Sequence, residues 1–195
     1  MMPTTTPPVL VRLDPKLEPL FKEAEARHFR DEELDAIAAH RPELKPRCEA
    51  ARAIRTKDVA IISKVVKEVF SQYDYDAHHD YANAKCPRDV RYVVAYCCAA
   101  MIADDIRWLE DKLLIWLKTI LQAFAFPARK PGSGGALFSD KELEGKLAEL
   151  PQKTQSIYHC YYRLRQEMAK EIEGPHYQLI EPYLTRTLDV LTEKY

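Results

Sequence analysis

The feature that most restricts the fold is the long run from Pro46 to Tyr73, in which Ala50, Ala53, Ile54, Ile61, Ile62, Val65, Val66, Val69 and Phe70 recur every three or four residues. That period marks one face of a long α-helix rather than the alternation of a strand. Such a helix must bury its stripe against partners, and the rest of the chain is equally helix-prone. Five glycines in 195 residues, beside 30% charged and 47% hydrophobic residues, are too few for the turns of a strand-rich sandwich. The expectation is an all-α bundle, with residues 1–195 forming a single domain.

Around this helix the chain divides as follows. Residues 1–15 form a loose Pro/Thr-rich tail, and residues 16–29 an N-terminal helical extension. Within it Leu17, Leu20, Phe21 and Ala24 give Pro15 to Arg27 an amphipathic pattern. That face is free to mediate a dimer unless the helix folds back. Asp31 to His40 reads as a helix, with the Asp31 carboxylate capping Leu34 and Glu32 and Glu33 favouring the positive end of the dipole. Residues 74–85 lose the period and read as a polar loop carrying His78 and His79. Pro87 suits the first position of the next helix, which places Cys86 at its cap. Val90, Val93, Val94, Cys97 and Met101 form the stripe of that helix, which runs to about Asp105. Leu109 to Phe126 reads as one apolar helix, with Trp116 in the core like Trp108. Residues 128–152 form an insertion that opens on a Pro/Gly-rich hinge and holds a short helix from Ser139 to Leu150. Gln152–Ile172 and Pro175–Tyr195 close the bundle.

Several function classes are excluded on composition. A formal charge of −1 with interspersed signs lacks the basic footprint of a nucleic-acid binder. Five cysteines without a CxxC pair give neither a disulfide framework nor a metal site. With neither a signal-peptide pattern nor a stretch of roughly 18 apolar residues, the expectation is a cytoplasmic protein without membrane insertion. No Gly-rich phosphate loop or nucleophile–base pair is legible, so catalysis is not expected.

The residues that carry chemistry cluster after the polar loop. On a helical wheel Asp89, Tyr92 and Tyr96 share a flank beside the core stripe, with Cys86 above them. A thiol, a carboxylate and phenols in a row suit a flat, extended ligand bearing N–H groups. A thiolate adds to an exocyclic double bond of a linear tetrapyrrole to form a thioether, and a carboxylate accepts from pyrrole N–H groups and favours their protonated state. Arg88 offers a bidentate grip on a propionate, and Lys85 a point charge for another. A plainer reading stands beside this one: Asp89 favours a helix N-terminus, Arg88 is a surface charge, Cys86 is an ordinary thiol, and Tyr92 and Tyr96 pack with their hydroxyls outward. Cys97, Cys98 and Cys160 lie in apolar helices as buried thiols. His159, among Tyr158, Tyr161 and Tyr162, reads as packing.

C-P-R-D-V-R-Y, from Cys86 to Tyr92, resembles the C-x-R-D-x-x-Y chromophore motif of the phycobiliproteins. A-E-A-R-H-F-R-D-E-E-L-D-A-I from Ala24 to Ile37 is similar to that family's entry into its first globin helix. N-A-K-C from Asn83 resembles the residues before the attachment cysteine. Ala103, Asp105, Glu110 and Pro127 fall at the family's spacing. The resemblance covers roughly residues 16–127, more loosely the last two helices. It implies a globin-like bundle and a bilin, a phycocyanobilin or biliverdin-like linear tetrapyrrole, joined to Cys86. Asp89 would bridge the central pyrrole nitrogens, Arg88 and Lys85 would hold propionates, and Tyr92 matches the family's tyrosine. It also implies a homo- or heterodimer with a related globin.

The sequence departs from antenna subunits at Val93, Ala95 and Asp104, where those carry a tyrosine, an arginine and a glycine, at Ala99, where the usual second tyrosine falls, and in the insertion after Pro127. These departures resemble the bilin biosynthesis-associated globins, and imply a non-antenna carrier, store or sensor of a bilin. A light-harvesting antenna subunit and a haem globin remain alternatives, the last needing an axial histidine from a core helix.

Overall fold

The computed structural model describes residues 14–75, 80–124, 126–132 and 140–193, and of residues 80–83 only the backbone. The described residues form an all-α bundle.

The N-terminal helix α1 (Glu18–Glu23) is shorter than its pattern suggests and folds back. Leu17, Phe21 and Ala24 are buried, and the Phe21 ring meets Phe29 and Trp108 edge-on, with centroids 5.0 and 5.9 Å away. The free apolar face expected here for a dimer is therefore covered by the chain itself. Helix α2 (Asp31–His40) has the expected bounds but a different cap. Glu33, rather than Asp31, accepts from the Arg30 N–H at 2.7 Å, while Arg27 donates to both Glu33 oxygens. Asp31 turns outward to Arg52 and Arg55.

A 3-10 turn, Pro42–Leu44, leads into α3 (Lys45–Gln72), the long helix of the periodic run. It packs against α4 (Asp80–Ala103), α8 (Gln152–Glu171) and α9 (Gly174–Thr192), and α8 packs along α9. Ile54, Val65, Val69, Val94, Met101, Leu164, Met168 and Ile180 meet in one continuous core. Besides Glu33, the carboxylates of Asp58, Glu68 and Glu167 are buried among the described residues, and each is paired, as burial of a charge requires. Asp58 Oδ2 accepts from His28 Nε2 and Arg91 Nε, both at 2.8 Å. Glu68 meets His159 and Arg163, and Glu167 meets Lys64 and Lys170.

Helix α4 starts at Asp80, well before Pro87, so Cys86 lies inside it rather than at its cap. Pro87 is an interior proline whose missing N–H leaves the Asn83 carbonyl without its helical donor. The chain leaves α4 through Asp104 in the left-handed region (φ 54°), and Asp105 caps the next turn by accepting from the Arg107 and Trp108 N–H groups.

The single helix expected from Leu109 to Phe126 is replaced by α5 (Ile106–Leu109), a π-helical turn (Glu110–Leu114) and α6 (Ile115–Ala123). A π turn takes one extra residue, which rotates everything after it by about 100°. The buried side accordingly passes from Leu109 and Leu113 to Leu114, Leu117, Lys118 and Leu121. Trp116, expected in the core, is 61% exposed.

The segment 128–152, expected as an insertion, is pinned where it is described. Arg129 bridges antiparallel to Tyr73 at the end of α3, with Lys130 N–H donating to the Gln72 carbonyl at 2.8 Å. The Arg129 guanidinium grips both Glu144 oxygens at 2.6 Å, tying in α7 (Lys141–Glu149), whose Leu143 and Leu147 are buried. The expected hinge is thus held in place through residue 130, and residues 133–139 lie outside the described part. Among the described residues no helix is long and apolar enough to cross a membrane.

Candidate functional site

Six residues of helix advance about 9 Å, so α4 carries Cys86, Asp89 and Tyr92 in under two turns. Cys86 lies on the side continuous with Val90, Val93 and Cys97, and its residue is partly buried. Lys85, Arg88, Asp89 and Tyr92 occupy the solvent-facing flank next to it. The Asp89 carboxylate is half exposed and accepts two hydrogen bonds from its neighbour Arg88, from Nε at 2.9 Å and from a terminal nitrogen at 2.7 Å. The same guanidinium sits 5.7 Å from the centre of the Tyr92 ring, which is itself open to solvent. Arg88 is thus engaged by Asp89 and Tyr92, so a ligand that used both charges would enter by opening that pair.

Burial, reinforced by the negative charge of Asp89, pushes the Cys86 thiol up to about 12. The nucleophilic thiolate is correspondingly scarce at neutral pH. Cys97, Cys98 and Cys160 are buried and their thiols are raised by burial, which matches the expected inert role. Tyr96 packs against Trp108 with its hydroxyl on Glu25 at 3.3 Å, so it belongs to the core rather than to the strip. His159 is buried on Glu68, and His78 and His79 lie outside the described residues.

Two surface cavities, of about 350 and 680 Å³, flank Trp108 near α1 and the α4–α5 corner, and none of the five expected site residues lines either. The five residues lie together on α4, as a linear tetrapyrrole would require. The donor set there suits one: a thiol for covalent attachment, a carboxylate for N–H groups, a phenol for stacking and two cations for acids.

Sequence reasoning missed the inner surroundings of the thiol. Tyr75, Cys160 and Tyr161 lie near enough to Cys86 for each to feel the other's charge. The Tyr-rich run of α8 was the available signal, and it reads equally well as packing. Arg91, between the site residues, faces the other way and anchors buried Asp58.

A family model described as phycobilisome protein matches residues 22–190, nearly the whole described bundle. The chain belongs to the phycobilisome protein family. Its globin-like all-α architecture follows the family, with α2 to α8 and all but the end of α9 inside the match. The chain is similar to the R-phycocyanin beta subunit of Synechococcus sp. (strain WH7803), 26% identical over 57% of this chain and 68% of that one. It is equally similar to the C-phycocyanin beta chain of Porphyra purpurea, 26% identical over 65% of this chain and 74% of that one. Membership extends to residues 128–190, beyond the region of clearest motif resemblance.

Proposed function

We propose that this chain binds a linear tetrapyrrole, attached as a thioether to Cys86. The observation that carries the reading is that Asp89 and Tyr92 lie on the solvent-facing flank of α4 beside the partly buried, inward-facing Cys86, in a chain of the phycobilisome protein family. In this reading the Asp89 carboxylate accepts from the central N–H groups and holds the pigment cationic. Arg88 leaves Asp89 to grip a propionate, Lys85 takes the other, and Tyr92 stacks along the pigment edge. The pigment supplies the colour, and the protein supplies attachment, charge and orientation rather than catalysis. The high thiol value argues for a lyase, or for a pigment-induced shift, to deliver the thiolate.

Two roles fit this site. A light-harvesting antenna subunit is favoured by the family match and by the phycocyanin beta chains among the relatives. A non-antenna carrier, store or sensor is favoured by Val93, Ala95, Asp104 and the pinned insertion, which depart from the antenna pattern.

Co-expression with haem oxygenase and a bilin reductase tests the binding. Coloured protein that retains its pigment through acid–urea denaturation, with the added mass lost in Cys86→Ala, is the expected result. Colourless protein with intact helical content sinks the proposal. Ring-sized assemblies formed with phycocyanin subunits select the antenna role, and their absence selects the carrier.

A further inference from the structure

The outer half of α6 carries an apolar row that the proposed pigment site does not use. Ile115, Trp116, Ile120 and Phe124 are 55%, 61%, 36% and 61% exposed, with Thr119, Gln122 and Ala123 exposed among them. Single exposed apolar side chains need no explanation, but a contiguous row of this kind marks an interaction surface. The row exists because the π-helical turn rotates α6, sending Leu117, Lys118 and Leu121 inward and the larger aromatics outward.

We propose that this face docks a second copy of the chain, α6 against α6 about a two-fold axis. In a two-fold contact the residues on the axis meet their own copies, so a charge there would face a like charge. The outer face of α6 avoids this. Its one charged residue, Lys118, is buried on the opposite side, and the exposed charges at its N-terminal edge, Asp111 and Lys112, are of opposite sign. The area fits as well. Four large side chains exposed to this degree present about 400 Å² of apolar surface. A standard interface buries about 800 Å² per partner, of which about 65% is apolar in homodimers, so the row supplies most of that core. A charged partner would find no countercharge on this face. A lipid surface would call for lysines or arginines along the helix, and α6 presents none outward.

Sedimentation velocity of the full chain without pigment, over the micromolar range, tests the proposal independently of any bilin. The expected result is a concentration-dependent dimer. In Trp108→Phe, which leaves Trp116 as the remaining tryptophan, emission shifts to the blue as the dimer forms. Trp116→Glu weakens association by more than roughly tenfold with unchanged helical circular dichroism. Val59→Glu, at an exposed apolar position on α3, leaves it unchanged. A chain that stays monomeric throughout overturns the proposal, as does a dimer indifferent to Trp116→Glu. A blue shift of Trp116 that appears only with phosphatidylglycerol vesicles also overturns it, and assigns the face to a membrane surface.

Discussion

Arg88 donates two hydrogen bonds to a single oxygen, Oδ1, of its neighbour Asp89, so the acid and the base of the chromophore motif neutralise each other on the surface of α4. Both side chains are half exposed, and a solvent-exposed pair of this kind is worth less than about 1 kcal/mol. The pair is therefore cheap to open, which a ligand drawing on both charges requires.

Asp89→Asn removes the charge that would hold pyrrole nitrogens protonated. In co-expressed protein we expect the long-wavelength band to collapse while covalent pigment remains, read as absorbance per attached pigment. Arg88→Ala should leave the band shape intact and weaken non-covalent retention by about tenfold, the worth of one charge-assisted hydrogen bond. An unchanged spectrum in Asp89→Asn would remove that residue from the site.

Lyase-free attachment should be pH-dependent through Cys86. The thiol is raised to about 12, so the thiolate fraction climbs about tenfold per pH unit over the whole neutral to alkaline range. Intact-mass kinetics with free bilin between mildly acidic and alkaline pH should show that slope without a plateau. A plateau near neutrality would mean that the pigment itself lowers the thiol on binding.

Asp58 should contribute to the acid stability of the bundle. Burial alone would raise this carboxyl, but hydrogen bonds from His28 and Arg91 outweigh that and hold it below its ordinary value of 3.8. The folded state therefore binds this proton less readily than the unfolded chain does. Its contribution is complete above the ordinary value and is lost as pH falls through the lower folded one. Asp58→Ala strands both partners and should cost about 3–5 kcal/mol in urea unfolding at neutral pH. Asp58→Asn, keeping the shape but losing the charge, should show less of the acid-dependent slope than the parent.

Asp104 holds a left-handed backbone, φ 54°, at the corner between α4 and α5, and pairs with Arg47 at 2.8 Å. Asp104→Gly relieves the backbone but loses an ion pair whose carboxylate is largely exposed. The two effects should cancel to within about 1 kcal/mol. Asp104→Ala keeps the strain and loses the pair, and should be about 1 kcal/mol worse than glycine. Thermal unfolding of the two variants checks the order.

The helices of the bundle were legible because their stripes obey one period over many residues, as α3 does from Ala50 to Val69. The start of α4 was not. Pro87 looked like a first helical residue, and the polar stretch before it lacks the apolar period that would reveal helix from Asp80 onward. The candidate site residues were picked out by their spacing and by the motif they resemble. That Arg88 turns to Asp89, and that Tyr75, Cys160 and Tyr161 come near the thiol, depends on rotamers and on segments far apart in the chain.

The sequence by itself determined the all-α class, the family motif and the order Cys86, Arg88, Asp89, Tyr92, because period and spacing are local properties that survive any packing. Only the tertiary structure decided which faces meet water. The single extra residue of the π turn at Glu110–Leu114 rotates α6 and turns Trp116 outward, and the fold-back of α1 buries Phe21 against Trp108. Neither leaves a mark on the local pattern, since a rotation of one helix about its axis is set by the neighbours it packs against.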